Sequence, residues 1–157
     1  MAHYSEHNFT PENSIGYLVR RSEQLGTIAL EPIFSRAGIT KTQWSALVSL
    51  HFNGAQSCAE IARDLCHDKG AITRLVDTLE ERDWVRRDRE SGEDRRVIRL
   101  ILTEAGEQIA CAVRDEVVQL WNHWLKDWDA ADVDRLTELL RRLRDTIQNG
   151  PEQGTPA

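Results

Sequence analysis

Seven arginines crowd the stretch from Arg82 to Arg99, at positions 82, 86, 87, 89, 95, 96 and 99. Five acids share it (Asp83, Asp88, Glu90, Glu93, Asp94), so the local balance is 7 − 5 = +2 in a chain whose formal net charge is −6. A guanidinium is a planar, always-charged fork of donors that fits a phosphate or the edge of a guanine. Just upstream lie Lys69, Gly70, Ala71, Thr73 and Arg74. Two small residues beside a lysine let backbone approach a partner closely, and the amides at a helix start attract anions. Arg74 suits a bidentate grip on guanine or a phosphate contact. Arg95 or Arg96 suits a hairpin tip that enters a minor groove, whose negative potential attracts arginine. Asp94 is expected to pair with a neighbouring arginine and hold that loop in shape.

These residues need a helix and a hairpin to present them. Asp68 is a natural N-cap for a helix whose apolar face is Ile72, Leu75, Val76 and Leu79. On the wheel Gly70, Arg74, Asp77 and Glu81 point the other way, with Thr73 and Thr78 at the flanks. Asp77 and Glu81 oppose deep insertion along the whole outward face, so contact with a polyanion is expected through the first two turns. After Trp84 and Val85 the period changes. Val97, Arg99, Ile101 and Thr103 alternate with Ile98, Leu100 and Leu102, which predicts a strand, and Ser91, Gly92 and Glu93 suit the intervening turn. Helix, strand, arginine-bearing loop and strand in that order describe a winged helix-turn-helix.

The flanks read as helices. The first runs from about Asn13 to Arg36 with a stripe of Ile15, Leu18, Val19, Leu25, Ala29 and Ile33. Pro32 is expected to kink or break it near its end, and Gly38 to terminate it. Thr40 with Gln43, and Ser57 with Glu60, are capping boxes. They open helices carrying Trp44, Leu47, Val48 and His51, and then Ile61 and Leu65. A long helix follows Thr103, with Ile109, Val113, Val117, Leu120, Trp121, Trp124 and Leu125. A last one follows Asp129 and carries Val133, Leu136, Leu140, Leu143 and Ile147 up to a stop at Asn149 and Gly150. Trp121, Trp124 and Trp128 fall on one helical face, expected to serve as a dimer contact or a pocket wall.

With 157 residues and 40% hydrophobic content the chain has the size and composition of one globular domain. The expected fold is mainly α with a small β-wing. Residues 40–103 form the winged helix-turn-helix, and residues 13–36 and 104–149 are dimerisation helices within a single 1–157 domain. No apolar run reaches the roughly 20 residues that span a bilayer, and the polar N-terminus lacks a signal core, so a cytoplasmic protein is expected. Three cysteines, Cys58, Cys66 and Cys111, suit a reducing compartment. Cys58, Cys66 and His67 make no zinc spacing, and the cysteines are expected to pack inside. No nucleophile–base pair, paired acid cluster or phosphate-binding glycine loop points to an enzyme, and no metal or cofactor is expected.

The segments Thr40-x-x-Gln43-Trp44, Glu60-Ile61-Ala62 and Thr73-Arg74-Leu75-Val76-Asp77-x-Leu79-Glu80 resemble the multiple-antibiotic-resistance-regulator (MarR) family of winged-helix transcription factors. So do Val85-x-Arg87, Asp94-Arg95-Arg96 and Leu102-Thr103-x-x-Gly106. The resemblance covers about Ile15 to Ile147. It implies a homodimer on a pseudopalindromic operator, repression as the usual outcome, and release by a small phenolic or aromatic acid. By the same resemblance the DNA contacts are Lys69, Gly70, Ala71, Thr73, Arg74, Arg95 and Arg96. Effector candidates are Trp44, Leu47 and His51, with Arg20 or Arg21 as a cation for a carboxylate. Asp83 stands where the family usually has glycine, and the turn is expected to survive at some local cost. Two alternatives stay open: a redox- or metal-responsive regulator of this fold, and a winged helix used only to bind protein.

Overall fold

In the computed structural model residues 3–54, 56–88 and 98–150 are described. Helix α1 spans Ile15–Ala37, α2 Lys41–Phe52, α3 Cys58–Asp64 and α4 Lys69–Glu81. Strands β1 (Val85–Asp88) and β2 (Arg99–Leu102) pair antiparallel, Val85 against Leu102 and Arg87 against Leu100. Helices α5 (Glu104–Trp124) and α6 (Ala130–Gln148) complete the order. The chain forms two compact units, Met1–Val117 and Val118–Ala157. Among the described residues no helix is long and apolar enough to cross a membrane.

The starts of the helices follow from their caps. Thr40 Oγ1 accepts from the Gln43 amide at 3.1 Å while Gln43 Oε1 accepts from the Thr40 amide at 2.9 Å, a complete capping box. The second box is shifted by one residue. Ser57 Oγ accepts from the Glu60 amide at 3.3 Å, but Glu60 Oε2 reaches past Ser57 to the amide of Gln56 at 2.7 Å. That amide and the Ser57 hydroxyl hold the Glu60 carboxyl below its ordinary range. Asp68 caps α4 by accepting from the Ala71 amide at 2.8 Å.

Two expectations change in the flanks. Pro32 does not break α1, which runs on to Ala37 and ends at Gly38 in the left-handed conformation, φ 64°. Proline inside a helix leaves the carbonyl four residues back unbonded, here that of Ile28, at a cost of about 3 kcal/mol. Ile28 and Pro32 lie on the exposed face, open to water. On the opposite face Leu30, Ile33 and Phe34 are buried, and each such side chain contributes about 1.5–3 kcal/mol, which offsets the cost. At the other end α5 stops at Trp124, so Trp128 lies in the turn beyond it and does not extend its face. Trp121 and Trp124 stack edge to face, centroids 4.9 Å apart.

The core of the first unit gathers Phe34 from α1, Leu47 from α2, Ile61 from α3, and Ile72, Val76 and Leu79 from α4. Val85, Leu100, Ala110 and Val113 close it from the sheet and α5. Ser49, also buried, donates to Asp64 at 2.6 Å and ties α2 to the end of α3. In the second unit no residue of α6 is buried, and Leu136, Leu139, Leu140 and Ile147 are exposed.

The wing root is built around Gly106. The Thr103 amide donates to the Trp84 carbonyl at 3.1 Å. Thr103 Oγ1 donates to the Asp83 carbonyl at 2.5 Å and accepts from the Gly106 amide at 3.0 Å, which also caps α5. A Cβ on residue 106 would lie 2.0 Å from the Trp84 oxygen. Only glycine lets α5 approach the turn this closely, which explains the Leu-Thr-x-x-Gly pattern in physical terms. Asp83 takes the left-handed position of that turn, φ 57°, as expected of the residue standing in for glycine.

Candidate nucleic-acid interface

Helix α4 presents Lys69, Gly70, Thr73 and Arg74 as exposed residues in its first two turns, with Ala71 half-buried beside them. The amides at this helix start are not all available to a phosphate. Asp68 Oδ1 takes the Ala71 amide, so the approach is left to the amides of Lys69 and Gly70. Thr73 returns its hydroxyl to the Lys69 carbonyl at 2.9 Å, which leaves the oxygen's acceptor side and the methyl facing outward. A Cβ on residue 70 would lie 3.1 Å from Asp68 Oδ1, so a glycine here keeps the cap undisturbed. The turn before α4 holds Cys66 at φ 52°, and that residue is exposed. It therefore does not pack inside the helix-turn-helix: the left-handed turn aims its sulfur back along α3, 3.8 Å from the Arg63 carbonyl. Cys58 and Cys111 are half-buried.

Arg95 and Arg96, with Ser91, Gly92, Glu93 and Asp94, lie outside the described residues. The described part of the wing carries a different feature. Arg87 on β1 reaches Asp77 on α4 at 2.6 Å and forms a second ion pair with Glu80. Its amide also donates to Glu80 Oε1 at 3.1 Å. Only 16% of the Arg87 side chain is exposed. Burial works against its charge, but the hydrogen bonds it donates to Asp77 and Glu80 prevail and raise its pKa above the ordinary value. Asp77 is therefore not a bare outward acid on the recognition face. It turns toward the wing, paired with Arg87. The signal was present in the sequence. Residues alternate across a strand, so Arg87 shares the face of Val85, which is buried. A guanidinium on an inward face needs acids nearby.

Arg82 is also committed within the fold. Its Nη1 donates to the Gly38 carbonyl at 2.5 Å, and its guanidinium lies 4.6 Å from the centre of the Trp84 ring. Arg86 and Arg99 are exposed. The local excess of +2 is thus spread over arginines of unequal availability.

The effector candidates fall into two groups. Trp44, Leu47 and His51 succeed one another on α2 facing α5. Trp44 Nε1 donates to the Ala110 carbonyl at 3.3 Å and its ring tilts against Phe34. Leu47 is fully buried. His51 Nδ1 lies 3.8 Å from Glu107 Oε1 and lines a cleft of about 380 Å³ with Arg99 and Glu107. Arg20 and Arg21 are exposed on α1, Arg20 over the Tyr17 ring at 5.5 Å, and neither lines that cleft. Among the described residues no three His, Cys, Asp or Glu side chains group to hold a metal ion.

Comparison with known proteins agrees with this architecture. Residues 39–98 match the model of the MarR family. The chain is 30% identical over 105 residues to YpoP of Bacillus subtilis, an uncharacterised helix-turn-helix transcriptional regulator, covering 67% of this chain and 74% of that one. It is 30% identical over 122 residues to the transcriptional repressor MprA of Escherichia coli, covering 74% and 67%. Among solved structures it resembles the apo form of wild-type MarR from E. coli, with TM-score 0.70, 28% identity and coverage of 83% and 96%. NadR in complex with 4-hydroxyphenylacetate is similar at TM-score 0.76 and 25% identity, covering 91% and 97%.

Proposed function

Because the chain belongs to the MarR family of winged helix-turn-helix transcriptional regulators, we propose that it is a homodimeric repressor released from operator DNA by a small aromatic or phenolic acid. The observation that carries the DNA reading is the exposed, basic start of α4, held over a core of Ile72, Val76 and Leu79. Lys69 and the first amides position the helix on phosphate, Arg74 reads a guanine, and the wing arginines Arg95 and Arg96 enter the flanking minor groove. One copy is only weakly basic, so operator binding depends on pairing two copies. A two-fold axis would place the two α4 helices in successive major grooves, about 34 Å apart.

Support for the dimer comes from apolar residues that each unit leaves in water. On α1 these include Ile15, Leu18, Val19, Leu25 and Ile28, and in the second unit Trp121, Leu136, Leu139 and Leu140. Residues 13–36 and 104–149 then act as dimerisation helices around the DNA-binding region 40–103. Support for an effector comes from the likeness to NadR, a protein solved with 4-hydroxyphenylacetate. Trp44, Leu47, His51, Arg20 and Arg21 are its candidate contacts, with His51 already facing a cleft. Such a regulator acts in the cytoplasm, where its operator is.

The test is selection of bound fragments from random DNA by the wild-type chain, repeated with a panel of aromatic acids. Arg74→Ala should weaken the selected site by about 1–3 kcal/mol while leaving mixed-sequence DNA much less affected. Equal losses on both would show that Arg74 grips phosphate only. Failure of every acid to release the DNA would remove the effector from the reading.

A further inference from the structure

The charge arithmetic at the wing root points to a residue that shapes DNA binding without touching DNA. Asp77 stands one helical turn after Thr73 and Arg74, a spacing that puts side chains on one side of a helix, with Cβ atoms about 5–6 Å apart. Glu80 follows one turn later. Left alone, these carboxylates would repel the phosphates that Lys69 and Arg74 are placed to hold. The structure does not leave them alone. A single guanidinium from β1 bonds both, Asp77 at 2.6 Å through Nη2 and Glu80 through Nη1, while the Arg87 amide binds Glu80 a second time at 3.1 Å. Arg87 is itself only 16% exposed. It is buried too far to be a phosphate contact and is oriented at α4.

We propose that Arg87 is a positioning residue for DNA binding: it draws the carboxylates of Asp77 and Glu80 toward the wing root, away from the phosphate path, and fixes β1 against α4. This deepens the DNA-binding reading and rests on it. Three charges are needed. Without the arginine the flank carries −2, with it −1, and the remaining charge is held on the wing side. A lysine cannot replace it fully, because one ammonium lacks the planar fork that meets two carboxylates at once.

The test compares variants by anisotropy on a labelled mixed-sequence duplex across a salt series. Wild-type binding to that duplex must be seen first, and its absence would fail the DNA reading rather than this one. Arg87→Gln is expected to weaken binding at least about tenfold. Adding Asp77→Asn and Glu80→Gln to it should restore binding to within about threefold of wild type, because the acids it had masked are gone. Arg87→Lys should recover part of the loss. Asp77→Asn with Glu80→Gln in the presence of Arg87 should bind more tightly than wild type, with a steeper salt dependence, since the local charge moves from −1 to +1. This last pair also serves if Arg87→Gln does not fold. Wild-type affinity in Arg87→Gln overturns the proposal. So does a triple variant that stays as weak as Arg87→Gln, because Arg87 would then be contacting phosphate itself. Unchanged affinity in the Asp77–Glu80 pair overturns it equally.

Discussion

Replacing Gly106 by alanine puts a methyl group where the Trp84 carbonyl already stands. The new Cβ would lie 2.0 Å from the Trp84 oxygen, 2.9 Å from its carbon and 3.0 Å from Leu102 Cδ2. The carbonyl must retreat by more than about 1 Å to reach ordinary contact, and it is backbone, so no side-chain rotation relieves it. That retreat breaks the Thr103 amide bond to Trp84, now 3.1 Å, worth about 0.5–1.5 kcal/mol. Overpacking of this kind costs about 1–3 kcal/mol. Alanine returns about 1 kcal/mol through its helix propensity. The net expectation is a loss of about 1–3 kcal/mol, seen as a lower midpoint in urea at fixed chain concentration with an unchanged slope. The same shift moves the base of the wing, so DNA binding should fall by more than the stability loss alone explains. An alanine variant within about 0.5 kcal/mol of wild type would refute the reasoning, because the close approach of α5 to the turn would then be slack.

Asp83→Gly should gain about 0.5–1 kcal/mol in the same assay, since the left-handed φ of 57° strains a side chain and not glycine; a loss would mean that the aspartate side chain contributes something beyond its backbone. Glu60 gives a pH prediction. Its folded pKa lies below the ordinary carboxylate value because Gln56 and Ser57 hydrogen-bond the charged form, so its contribution is complete above that ordinary value and is lost as pH falls through the lower, folded one. Glu60→Gln should therefore lose less stability than wild type on acidification from about pH 5 to about pH 3. A parallel decline in the two proteins would rule Glu60 out as a source of acid sensitivity.

Much of this fold is legible in the chain because its signals are local. Thr40 with Gln43, and Asp68 before an apolar stripe, mark helix starts within four residues, and the structure places both caps there. The continuity of α1 through Pro32 was not legible, because it depends on where Phe34 and Ile33 are buried and which face meets water, which no local pattern records. The end of α5 before Trp128 fails for a similar reason: helical spacing fits three tryptophans whether or not the backbone carries on. On helix α4, wheel geometry set Gly70, Arg74, Asp77 and Glu81 outward with Thr73 at the flank, and all five are exposed. It did not supply the Arg87 partner of Asp77, since a wheel shows direction from one axis and not what the next strand brings. The inward face of Arg87 is legible in its alternation with the buried Val85.

Arg82 joins two corners of the chain, the left-handed end of α1 at Gly38 and the turn after α4 at Trp84. Gly38 and Asp83 both take the left-handed conformation, φ 64° and 57°, and the Arg82 guanidinium links the first to the turn that holds the second. The C-terminal end of α4 is thereby tied to the C-terminal end of α1 by a single side chain.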